Sequence, residues 1–231
     1  MNKISTKTHT LIISDLHLGS SVSRSKNAID FLKKTKFKKL ILLGDIFESL
    51  NFQKLIKTDW EFLSLITKLS KKSKVIWVEG NHDKGLTNIF SSFTGARVYK
   101  NYKWQYKKRK YLAIHGHQFD NFLVDNAILS FLANQIYNFI QLIDFHDYRI
   151  SRFIKRKSKG WLRLSRKVAQ RAILYGKLKR IDYIFCGHTH KTDQKIEKSI
   201  SYYNCGCWTD DPSSFITLDK DKIEIHKYPE K

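Results

Sequence analysis

Seven side chains of this sequence are of kinds that hold divalent ions: Asp15, His17, Asp45, Asn81, His115, His188 and His190. They make a mixed nitrogen and oxygen donor set without a thiolate. Such a set suits Mn, Fe, Zn, Co or Ni. Seven donors exceed the needs of one ion, whereas two ions sharing a carboxylate would use them all. Two ions about 3.5–4 Å apart can clamp the entering and leaving oxygens of an in-line phosphoryl displacement. His82 and Asp83 directly follow Asn81. An imidazole is a proton donor suited to neutral pH, and a carboxylate beside it would fix its tautomer.

Each donor closes an apolar run. Residues 8–14 read as a first strand, Lys39 to Leu43 as a second, and Lys74 onward as a third. Tyr111 onward reads as a fourth and Asp182 to Cys186 as a fifth. Glycine-bearing clusters of Asp, Asn and His end all five. In open α/β sheets ligands sit outside the carboxyl ends of the strands. One such cluster would be ordinary turn chemistry; five carrying seven donors imply a shared site. Apolar residues at three- and four-residue steps predict helices over Arg24 to Lys36 and Leu55 to Ser70. The tail, roughly 192–228, alternates in short runs and predicts antiparallel strands.

In order, Asp15-x-His17, Gly44-Asp45, Gly80-Asn81-His82-Asp83, His115 and Gly187-His188-x-His190 resemble the five blocks of the calcineurin-like metallophosphoesterases. The resemblance implies an α/β fold, a four-layer αββα sandwich of two mixed sheets. It implies that Asp15, His17, Asp45 and His190 hold one ion, and Asp45, Asn81, His115 and His188 the other. Asp45 would bridge the pair. His82 would face the phosphate as a catalytic residue, with Asp83 orienting it. Two divalent ions, Mn foremost, are the expected cofactors.

The 231 residues, 42% hydrophobic, suffice for one domain spanning 1–231 with an elaboration. Lys and Arg number 43 against 21 Asp and Glu, a net charge of +22 that calls for a polyanionic partner. Nucleic acid, an anionic membrane surface and a phosphorylated substrate all qualify. Three cysteines do not suggest a secreted disulfide framework. With no apolar run long enough to span a bilayer and no signal-like N-terminus, a cytoplasmic protein is expected, peripheral at the inner membrane.

A helical insertion, approximately 119–180, is expected between His115 and His188. Its first part, Phe119 to Tyr148, is rich in large apolar residues. Its second, Arg149 to Arg180, has thirteen Lys and Arg and no Asp or Glu. An apolar helix beside a basic one suits a cap on an anionic membrane, or on a lipid-tailed phosphate. Arg163, Arg166 and Lys167 are the candidate substrate contacts. Ser14-Asp-Leu-His-Leu18, Gly44-Asp-Ile-Phe-Glu48, His115-Gly-x-Gln-Phe-Asp120 and Asn204-x-Gly-x-Trp208 resemble the UDP-2,3-diacylglucosamine diphosphatase group. That group carries a helical insertion at this place and acts in lipid A synthesis. The chain departs from it at His82, His117 and Cys207, where Arg, Asp and an acidic residue are usual. The resemblance implies cleavage of UDP-diacylglucosamine to UMP and a lipid sugar phosphate. The alternatives are a phosphodiesterase, nuclease or phosphatase on another anionic substrate, and a non-enzymatic scaffold. Degenerate ligands would mark a scaffold, and here every ligand position is filled.

Overall fold

The computed structural model describes residues 7–85, 87–120, 159–220 and 222–228. Two mixed sheets stack face to face. The first runs β11-β10-β1-β2-β3-β4, from β1 (Lys7–Ile13), β2 (Lys36–Leu43), β3 (Lys74–Val78), β4 (Arg97–Tyr99), β10 (Ser213–Asp219) and β11 (Lys222–Tyr228). The second runs β5-β6-β7-β9-β8, from β5 (Tyr102–Tyr106), β6 (Arg109–Ala113), β7 (Tyr183–Cys186), β8 (Thr192–Glu197) and β9 (Ile200–Cys205). Strands β1 to β4 are parallel, as are β6, β7 and β9. The five expected strands and the antiparallel tail are all present.

Three apolar layers hold the stack together. Helices α1 (Ser25–Lys34), α2 (Lys57–Ser70) and α3 (Thr87–Thr94) cover the first sheet through Phe31, Leu32, Phe62, Ile66 and Phe90. Ile12, Ile41, Ile76, Tyr111 and Phe185 fill the space between the sheets. Helix α4 (Lys159–Leu178) covers the second sheet with Val168, Ala169, Ala172 and Ile173. The central parallel strands are apolar on both faces because both faces are covered. The result is the expected αββα sandwich.

Of the expected insertion, the described part is Phe119, Asp120 and residues 159–180, which hold the basic helix α4; the rest of the apolar stretch to Tyr148 and the start of the basic stretch, 149–158, lie outside the described residues. No helix among the described residues is long and apolar enough to cross a membrane.

Candidate metal centre

The parallel strands β1, β2, β3, β6 and β7 all end at one rim, and the loops after them carry the seven predicted donors. These loops bend sharply. Asp15, His17, Asp45, His188 and His190 have φ of 53°, 51°, 49°, 66° and 54°. An L residue in the left-handed region costs about 1–2 kcal/mol. Backbone strain of this kind gathers where function requires it. Five donors in that conformation mark the rim as a built site. Gly80 permits a close approach: a Cβ there would run into the Asp45 carboxylate.

Six of the seven donors fall into two groups, and Asn81 lies in the loop after β3. Asp15, His17 and His190 form the first. His190 Nε2 lies 3.2 Å from Asp15 Oδ1 and 3.2 Å from His17 Nε2. Asp45, His115 and His188 form the second, with His115 Nε2 3.1 Å from Asp45 Oδ2. Donors about 2.0–2.2 Å from a shared ion lie roughly 3–3.5 Å apart. His115 Nε2 is buried and makes no hydrogen bond despite its distance from Asp45, and the buried Asn81 Oδ1 is likewise without a partner. An ion would satisfy both.

The outer sides of the rings are set as metal-binding histidines require. His115 Nδ1–H donates to Leu43 O at 2.9 Å, and His17 Nδ1–H to Glu48 Oε2 at 2.7 Å. Both leave Nε2 for the centre, the usual way a ring is held for a metal. His188 Nε2 meets Asp120 Oδ2 at 3.1 Å, which leaves Nδ1. Asp15 is held by the Ser14 hydroxyl and by His188 N at 3.1 Å.

The electrostatics point the same way. Burial works against the charge on Asp45, but His115, His82 and His17 hold it well below the ordinary carboxylate range. Burial likewise opposes a proton on His115, yet Asp45 and Asp15 push it up to about 10. The pocket draws positive charge, which a divalent ion supplies more fully than a proton. The residues present therefore fit two ions.

His82 stands beside the first group of donors. Its ring is 5.1 Å from that of His17, its Nδ1–H donates to Glu48 O at 2.6 Å, and Nε2 is 4.0 Å from Asp45 Oδ2. The expectation that Asp83 orients His82 is corrected. Asp83 is buried with both oxygens engaged elsewhere: it accepts from Ile46 N at 3.1 Å, Phe47 N at 2.9 Å and Trp77 Nε1 at 3.2 Å. It ties the loop after β2 to β3 and so positions Asp45. The Glu48 carbonyl does the orienting. Asp83→Ala is expected to lower stability by about 3–5 kcal/mol in urea titration, because three buried donors lose their acceptor at roughly 1–3 kcal/mol each.

Glu48 and Asp120 were not among the predicted site residues. The signal lay in the Gly44-to-Glu48 and His115-to-Asp120 blocks, whose last members reach the centre. His117 lies beside it, its ring 5.5 Å from that of His115. Burial, with His115 and His188 nearby, pushes it down to about 3, so it stays neutral. Arg163, Arg166 and Lys167 do not join the cluster. All three are exposed on α4, and helical spacing puts them opposite Trp161, whose Nε1–H donates to Thr189 O at 2.9 Å. The helix touches the ligand loop and turns its charge outward. Cys186, Cys205 and Cys207 are buried free thiols.

The chain belongs to the calcineurin-like phosphoesterases, whose family profile matches residues 8–192. It is a metal-dependent phosphoester hydrolase. Among solved structures it is similar to an archaeal phosphodiesterase, with TM-score 0.54 and 14% identity over 94% of this chain and 98% of that one. It is also similar to Yfce, a phosphoesterase from E. coli, with TM-score 0.52 and 14% identity over 93% and 90%. At that identity the likeness is one of fold. No curated protein matches the chain.

Proposed function

We propose that this chain hydrolyses the pyrophosphate bond of UDP-2,3-diacylglucosamine, releasing UMP and a lipid sugar phosphate. Asp15, His17, Asp45 and His190 would hold one divalent ion, and Asp45, Asn81, His115 and His188 the other, with Mn the first choice. When bound there, the ions would supply charge stabilisation to the phosphoryl group and lower the pKa of the attacking water. His82, tethered through Nδ1 to the Glu48 carbonyl, presents Nε2 to the phosphate and gives a proton to the leaving oxygen.

The observation that carries the substrate choice is where the subgroup-like blocks fall. Glu48 holds His17, and Asp120 holds His188. Asn204 Nδ2 donates to Gly187 O at 2.7 Å and Thr189 Oγ1 at 3.1 Å. Trp208 N donates to Asp15 O at 3.0 Å. Glu48, Asp120, Asn204 and Trp208, which carry the likeness to that group, thus contact the donors or the loops that hold them. The test is a hydrolysis screen with Mn, offering UDP-2,3-diacylglucosamine, bis-p-nitrophenyl phosphate, a phosphomonoester and single-stranded DNA. UMP release from the nucleotide lipid as the fastest reaction is expected. Fastest cleavage of DNA would replace this reading with a nuclease, which the net charge of +22 favours.

The outward face of α4 would meet an anionic lipid surface on which such a substrate is carried. Each basic residue near that surface is worth about 1 kcal/mol. Replacing Arg163, Arg166 and Lys167 together with Ala is expected to weaken binding to anionic vesicles about 100-fold. Turnover of bis-p-nitrophenyl phosphate should be unchanged.

A further inference from the structure

Three large apolar side chains stand exposed on one short stretch of the metal rim: Leu50 at 51%, Ile56 at 63% and Trp60 at 51%. Helix α2 leaves the carboxyl end of β2 and returns to the start of β3, so its first turn lies at the end of the sheet that carries the donors. Trp60 N donates to Ile56 O at 3.3 Å. The two side chains are one helical turn apart and share a face.

The stretch is firmly built. Asp59 Oδ2 accepts from Ile56 N at 3.2 Å and from Gly19 N at 3.1 Å, which joins α2 to the loop carrying Asp15 and His17. Phe52 packs inward against Phe47 and Phe90, with ring centroids 5.6 and 5.8 Å away. Leu55 packs on the same core. The inward apolar positions are therefore filled, and Leu50, Ile56 and Trp60 are surplus to folding. At its other end the stretch begins from Glu48, which touches His17 and His82.

We propose that Leu50, Ile56 and Trp60 form an apolar lip that docks on an anionic lipid surface and seats the metal cleft against it. Charge names the occupant. Lys54 and Lys57 stand exposed between the three apolar residues; of the carboxylates on the stretch, Asp59 is buried, Glu48 is turned to His17 and Glu61 beside Trp60 stands exposed, on a chain of net charge +22. Aliphatic and indole side chains interspersed with lysine are the composition of segments that lie in a headgroup layer. The basic face of α4 begins at the same rim, where Trp161 meets the ligand loop. This deepens the amphiphilic-substrate reading and rests on it for purpose, but binding is measured without substrate.

The experiment uses the full chain, the triple variant Leu50→Ser/Ile56→Ser/Trp60→Ser, and Trp60→Phe. Vesicles of phosphatidylglycerol with phosphatidylcholine, and of phosphatidylcholine alone, are sedimented with protein at low salt. The expected result is binding to the anionic vesicles, at least tenfold weaker in the triple variant. Brominated acyl chains should quench a part of the tryptophan emission that Trp60→Phe lacks. Hydrolysis of bis-p-nitrophenyl phosphate and circular dichroism of the triple variant should match the parent. Equal vesicle binding by parent and variant overturns the proposal, as does a parent that ignores anionic vesicles. A parent dimer in light scattering that the variant converts to monomer overturns it too, since a second copy then covers the lip. Vesicle binding lost in the variant while the parent fails to cleave the nucleotide lipid in detergent would leave the lip standing and remove only the substrate reading.

Discussion

Asp45→Ala is expected to reduce Mn content from two ions per chain to one or fewer, and phosphodiester hydrolysis by at least about 10³-fold. Losing a partner behind a ligand already costs about 10–100-fold in metal affinity or activity, and Asp45 is in direct contact with the centre. Its Oδ2 faces His115 Nε2 at 3.1 Å, and its Oδ1 accepts from His82 N at 2.9 Å. The residue thus serves a ring of the second group and the loop carrying His82. Its removal also leaves the buried His115 without the carboxylate that keeps it charged when no ion is bound. Elemental analysis after Mn loading, beside kcat and KM for bis-p-nitrophenyl phosphate, checks the prediction. Asp45→Asn keeps an acceptor for His82 N and should keep the fold while losing metal, which separates ligation from collapse. A parent protein that is fully active with a single ion would remove the dinuclear reading, whatever the variants do.

The site was legible in the sequence because metal chemistry restricts residue types and a strand end restricts where they stand. Asp15 to His190 could be collected from the strand-end positions alone, and the rim brings all but Asn81 into two groups. The layers were legible for a similar reason: buried parallel strands such as Leu40 to Leu43 must be apolar throughout. Elements whose signals were overridden by tertiary context went unread. Strand β5 alternates Tyr102, Trp104 and Tyr106 with polar residues, but its turn into β6 is made by Lys107 and Lys108 at φ of 47° and 63°. Asn-Gly is the pair such a turn ordinarily shows, and two lysines conceal it. Helix α4 ends the same way, with Arg180 at φ 53° where a glycine is usual. Asp83 was misread because adjacency in sequence was taken for contact. Successive residues on a sharply turned loop point apart, and Asp83 points into the core beneath Phe47 while His82 faces the cleft.

His82→Ala is expected to lower kcat by about 10²–10⁴-fold, the usual contribution of a general acid or base, with two ions per chain retained. Its role differs from that of the donors in a way the geometry makes visible. Six of the seven predicted donors form the two groups, whereas His82 stands off at 4.0 Å from Asp45 Oδ2 and is held from outside by the Glu48 carbonyl. With Nδ1–H committed to that carbonyl, Nε2 is left as the nitrogen that, under the proposed function, would give a proton to the leaving oxygen. The loss should depend on the leaving group. A p-nitrophenolate departs without protonation, so bis-p-nitrophenyl phosphate should suffer least, and a sugar phosphate or alkyl leaving group most. His82→Asn removes the imidazole but keeps a polar side chain near Glu48, and should resemble His82→Ala in kcat. Metal analysis provides the decisive comparison. If ions and activity fall together in both variants, His82 is a ligand or a structural residue, and the Glu48, His17 and His82 grouping becomes part of the metal centre.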